Sequence, residues 1–154
     1  MGMAKSAEAQ LTEFLNKFTP EVAAQAEKCL SKMRARLPGA WQLVYDNYNA
    51  LAIGFGPSDK TSLAIFSLAV FPRWVSLFFL QGAGLSDPNK ILKGSGNVAR
   101  HVVLKSPDDL DLPAMQELMA LAMKGAKEQI DPARKGALII KSVSAKQRPR
   151  RPAS

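Results

Sequence analysis

The chain has 154 residues, 47% of them apolar and 22% charged, the mixture expected of one globular domain with a sizeable core. Its net charge of +8 is unevenly placed: residues 1–133 hold 14 Lys/Arg against 13 Asp/Glu, whereas residues 134–154 hold 7 Lys/Arg and no acid. A single cysteine, Cys29, excludes an intramolecular disulfide, and with a single histidine, His101, it excludes a four-ligand Cys/His zinc site.

The N-terminal residues Met-Gly-Met-Ala-Lys-Ser lack the apolar stretch of a signal peptide, so a cytoplasmic location is expected. Leu11, Phe14, Leu15 and Phe18 mark a short amphipathic helix or turn. Thr19-Pro20-Glu21 then opens a clear helix, with Thr as N-cap, Pro in the first turn and an acid near the positive end of the dipole. Val22, Ala26, Cys29, Leu30, Met33 and Leu37 form its buried stripe, and Pro38-Gly39 ends it. Cys29 lies on that stripe and reads as a small core residue.

From Trp41 the apolar period becomes two. Strands are expected at about 41–46, 51–55, 63–71, 74–80 and 101–105, and residues 137–143 could add a short edge strand. The short connections favour an antiparallel meander. Residues 63–80 are the most apolar stretch, but Pro72-Arg73 divides it. Neither part reaches the roughly 18–20 residues of a spanning helix, so no membrane segment is expected. Asp111-Leu112-Pro113 opens a last helix with its stripe at Met115, Leu118, Met119, Ala122, Met123, Ala126 and Ile130, stopped by Asp131-Pro132.

The expected architecture is therefore α+β: an antiparallel sheet of about five strands, covered by N-terminal and C-terminal helices. The domain is expected to span residues 10–132. A basic tail, 133–154, follows; its Pro, Ser and Arg cannot bury much, so it is expected to be largely disordered.

Five constellations could carry chemistry. Tyr45, Asp46, Asn47 and Tyr48 end an apolar strand and could read a small ligand, or simply make the next turn. Lys93, Gly94, Ser95, Gly96, Arg100 and His101 set a glycine turn beside two cationic groups; backbone N–H groups there could cradle a phosphate or carboxylate. Gly54–Thr61 has a superficial phosphate-loop look, but Asp59 precedes Lys60 where the motif requires Gly. Asp108, Asp109 and Asp111 could hold a hard cation weakly, or satisfy a helix N-terminus. Lys146, Arg148, Arg150 and Arg151 could neutralise nucleic-acid phosphates without reading sequence. The row Lys28, Lys32, Arg36 is a basic helix face. No nucleophile–base pair is apparent, so no catalytic residue is assigned.

The run Lys93-Gly-Ser-Gly-Asn-Val-Ala-Arg-His-Val-Val-Leu-Lys-Ser106 resembles the YdhG-like family, domain of unknown function 1801. Its members carry a Lys-Gly-x-Gly…Arg-His-(apolar)-x-Leu-x-Ser segment before a final helix. The resemblance covers about residues 12–128 and implies the same α+β arrangement. At least one family member has been treated as a frataxin-like iron chaperone. The resemblance thus implies iron as a candidate cargo for Asp108, Asp109 and Asp111. Relatives often carry a Tyr-Gly-Met-Pro-type run where this chain has Tyr45-Asp-Asn-Tyr-Asn49, so nothing resting on that run carries over.

The leading expectation is a non-enzymatic domain that binds a small anionic ligand or a partner protein in a pocket shared by Asp46 and Arg100. Iron binding and delivery, and weak nucleic-acid contact through the tail, are the alternatives. A homodimer is a candidate assembly state.

Overall fold

The computed structural model describes residues 5–152. Residues 1–4, which open the N-terminal stretch read above, and the last two residues of the tail lie outside the described residues.

Helix α1 (Ala7–Leu15) begins at Ser6, whose hydroxyl accepts the Ala9 N–H at 3.1 Å. Helix α2 (Pro20–Arg36) begins at Thr19, whose hydroxyl accepts from Val22 N at 3.3 Å, with Pro20 already shaped for the first turn. The chain reverses at Gly39, where φ is +84° and a Cβ would lie 2.1 Å from the Asp131 carbonyl oxygen. Only glycine fits that turn.

Strands β1 (Trp41–Asp46), β2 (Leu51–Gly56), β3 (Phe66–Val70), β4 (Val75–Phe79) and β5 (Arg100–Leu104) follow as an antiparallel meander. Helix α3 (Pro113–Lys124) comes next, and strand β6 (Leu138–Val143) closes the fold. The sheet order is β5-β4-β3-β2-β1-β6.

Two expectations need correction. The sheet has six strands rather than five, because residues 138–143 do pair. It is also mixed: β6 runs parallel to β1, with a bulge between Val44 and Tyr45. The chain leaves β5 at one edge, passes through α3, and pairs at the opposite edge. A crossover of that length allows a parallel partner, which the short meander loops do not. The last helix also stops at Lys124, although Ile130 remains buried beyond it.

All three helices bury their stripes in one cluster. Leu11 and Leu15 of α1, Cys29 and Met33 of α2, and Met115, Leu118 and Met119 of α3 join Val44, Ile53, Phe55, Phe66, Leu68, Leu77, Phe79 and Leu104 of the sheet. Alternation along the strands sends the other residues to the opposite face. Small side chains run along one row of that face: Ala52 pairs with Ala69, and Ala69 with Ser76. Trp41 and Tyr45 flank them on β1, and Phe78 and His101 on β4 and β5. The single turn Thr61–Leu63 leans toward this face, where the Tyr45 and Thr61 hydroxyls share a hydrogen bond. Among the described residues, no helix is long and apolar enough to cross a membrane.

Candidate functional site

Strand β1 places Asp46 at the end of its core-facing row, after Gln42 and Val44. Asp46 is 0% exposed. A carboxylate at that depth must be paired, because burial alone would raise its pKa and neutralise it. The partners come from both ends of the chain. Arg150 Nη2 donates to Asp46 Oδ1 at 2.9 Å, and Lys17 Nζ donates to Asp46 Oδ2 at 3.0 Å. Gln147 Nε2 donates to the Asp46 carbonyl at 3.0 Å, and Ser144 N to the same oxygen at 2.8 Å. Burial pushes the Asp46 carboxyl up, but the neighbouring Gln147 amide and the hydrogen bonds from Arg150 and Lys17 outweigh it and hold it below the ordinary carboxylate range.

Arg150 is itself only 5% exposed. It also donates to the carbonyls of Asn47 and Tyr48 and sits 5.6 Å from the Phe18 ring centroid. Arg151 caps the C-terminal end of α1, donating to the carbonyls of Lys17 at 3.2 Å and Asn16 at 3.4 Å. Arg148 N donates to Tyr48 O at 2.9 Å, and its guanidinium lies over the Tyr48 ring. Residues 144–151 are therefore a docked strap, and the expected disordered tail is corrected on this point. The physical reason is the buried carboxylate, which gives a basic segment an ordered place that composition cannot reveal. Of the four tail residues expected to meet nucleic acid, Arg150 and Arg151 are tied to the protein, while Lys146 and Arg148 keep exposed side chains.

The glycine turn lies elsewhere. Lys93 and His101 exchange backbone hydrogen bonds at 2.7 and 2.9 Å, adding one rung outside β5. Gly94 takes φ +113°, and Ser95 and Gly96 are exposed. Arg100 donates to the carbonyls of Gly96 and Ala99, so its head is turned onto its own loop and not onto Asp108 or Asp109. His101 stacks on Phe78, with 5.1 Å between ring centroids and 26° between planes.

The register separates the two clusters. Arg100 pairs through Phe79, Phe66 and Phe55 to Gln42, four residues before Asp46. That puts them roughly 19 Å apart across the strands and about 13 Å along them. The structure brings Asp46, Asn47 and Tyr48 together with Arg150, and Lys93–Gly96 together with Arg100 and His101. It does not bring the two groups together, so the shared pocket is corrected. The cause is strand order: β1 and β5 lie on opposite sides of the meander.

The acids of the Pro107–Asp111 turn face the basic row of α2. Asp111 accepts from Lys32 and, at 2.8 Å, from Arg36; Lys32 also lies 3.8 Å from Asp108. The hydrogen bond to Lys32 holds the Asp111 carboxyl below its ordinary range. Asp109 accepts the Lys105 N–H at 2.8 Å. Thus Asp108 and Asp111 face Lys32 while Asp109 turns to the Lys105 backbone, and the three carboxylates do not converge on one point. Among the described residues, no group of three or more His, Cys, Asp or Glu could hold a metal ion. Cys29 is 0% exposed, and burial, helped by Asp109, pushes its thiol up to about 11. That is the wrong direction for a nucleophile.

Sequence reasoning missed two concavities. One, of about 570 Å³, lies between the last turn of α3, the Thr61–Leu63 turn and the Gly82–Gly84 turn. Ile65 and Phe79 form its apolar floor, Leu63 and Leu85 its walls, and Ser62, Gln81 and Lys127 its polar rim. Its residues come from three separate stretches of chain, within 62–65, 79–85 and 122–127, so no local motif announces it. The other, also about 570 Å³, lies between the β3–β4 turn and the strap, with Phe71, Arg73, Trp74 and Arg148 in its lining. The Pro72-Arg73-Trp74 turn was visible in sequence, but only as a break between strands. Comparison with protein-family models, with curated proteins and with solved structures gave no match.

Proposed function

We propose that the protein is a YdhG-like, non-enzymatic binding domain for a small amphipathic anion, held in the cleft between the end of α3 and the Thr61–Leu63 and Gly82–Gly84 turns. The supporting observation is that cleft: about 570 Å³, apolar below and polar at the mouth. This is the usual build and size of a small-ligand site. Phe79 and Ile65 would receive the ligand's apolar body. Among the described residues Lys127 is the only charged group in its lining, which favours an anionic head near Gln81 and Ser62. The YdhG-like assignment rests on the glycine-turn run. Iron is less favoured, because Fe²⁺ would have to displace Lys32 and Arg36 from Asp111.

The test is a fluorescence titration with the amphipathic anion anilinonaphthalene sulfonate. Saturable binding to the native protein is expected. Lys127→Ala should weaken it severalfold, and Ala122→Phe, which fills the cleft from α3, should abolish it. Binding that ignores both substitutions would remove the cleft as the site.

A further inference from the structure

We infer that the end of the sheet capped by the C-terminal strap is a stacking site for single-stranded nucleic acid. The β1–β2 turn, the β3–β4 turn and the strap meet there around the second cleft. Trp74 stacks on Phe71, with 4.6 Å between centroids and 19° between planes, yet stays 41% exposed. Tyr48, on the neighbouring turn, is 49% exposed, and the Arg148 guanidinium lies 5.5 Å from its ring. Large aromatics held in water at two adjacent loop tips, each beside an arginine, form a surface on which unpaired bases can stack.

Charge completes the match. Among the described residues, Arg73 and Arg148 have no carboxylate within salt-bridge distance. The nearby acid, Asp46, is already neutralised by Arg150 and Lys17. The register also sets Lys105 just past Leu104 at this same end, since Asp46, Leu51, Val70, Val75 and Leu104 form one row. The strap then has two parts. Arg150 is its anchor, and Arg148 is the phosphate contact that the anchor positions. Duplexes are disfavoured because their bases are already stacked and only the phosphates remain available.

The experiment uses the full chain with Trp41→Phe, which leaves Trp74 as the only tryptophan. Labelled oligothymidylate and oligouridylate should quench its fluorescence and raise anisotropy with the same midpoint. Trp74→Ala should weaken binding about tenfold, the loss of one stacked base, without changing the salt dependence. Both Trp74 variants lack tryptophan and are read by anisotropy; Trp74→Phe should keep most of the affinity, and if Trp74→Ala fails to fold, quenching of Trp74 in the parent decides the matter. Arg73→Ala and Arg148→Ala should each lower the slope of log affinity against log salt by about 0.7. The inference is overturned by absent quenching, by affinity that survives Trp74→Ala, by tighter binding of a duplex of equal length, or by stronger quenching from phosphatidylserine vesicles than from either oligonucleotide.

Discussion

Each end of the sheet carries an arginine on a segment that looks basic and loose in sequence, and the two are used in opposite ways. Arg150 is 5% exposed and reaches a buried carboxylate and two carbonyls. Arg100 is half-exposed and folds back onto two carbonyls of its own turn. The difference is the counter-ion. Asp46 lies at the edge of the core with no water to solvate it, so whatever cation reaches it becomes part of the core's boundary. Among the described residues no carboxylate lies within salt-bridge distance of Lys93 or Arg100, and these cations stay at the surface. A segment's net charge therefore says little about its order; the position of one buried opposite charge says much more.

That contrast is most sharply broken at Asp46. Asp46→Asn leaves Arg150 buried without its carboxylate, and losing one partner of a buried pair costs about 3–5 kcal/mol. Urea unfolding should show a loss in that range, and trypsin should cleave after Lys146 and Arg150, the strap's basic residues not followed by proline, much faster than in the parent. Arg150→Met should cost less, since Lys17 still faces Asp46 and an apolar side chain remains over Phe18. Equal losses for the two variants would mean that the strap's hold does not depend on the buried charge.

Acid provides a second handle on the same end. Asp46 and Asp111 both have folded pKa values below the ordinary carboxylate range. The unfolded chain therefore takes up their protons first, so stability is full above about pH 4–5 and is lost as pH falls through the depressed folded values. Chemical denaturation between pH 7 and pH 3 should show this loss, and Asp46→Asn should flatten part of it. Strap release near neutral pH would contradict the assignment.

The elements were legible where local chemistry decides them. Thr19-Pro20-Glu21 announces α2, and the alternation from Trp41 announces β1. The failures have distant causes. Residues 138–143 look marginal alone and become a strand because β1 offers a free edge. The strap looks like a solvated tail, and its docking depends on a carboxylate 104 positions away. Sequence alone groups Tyr45 with Arg100 in one site, but strand order sets β1 and β5 four strands apart. Lys127 and Phe79 share a cleft only after α3 and β4 have packed.

At the glycine-turn end the expected effects are smaller. Gly94→Ala must hold a φ of +113°, where a Cβ is strained whatever the space around it, and should cost about 1–2 kcal/mol. Arg100→Ala removes hydrogen bonds to Gly96 and Ala99, whose carbonyls can turn to water instead. Its cost should be about 0.5–1 kcal/mol, within the range of a single exposed hydrogen bond. Unlike Asp46→Asn, it should leave tryptic cleavage after Lys146 unchanged. A loss as large as that of Asp46→Asn would mean that Arg100 anchors β5 to the sheet, and that the two ends differ less in kind than their counter-ions indicate.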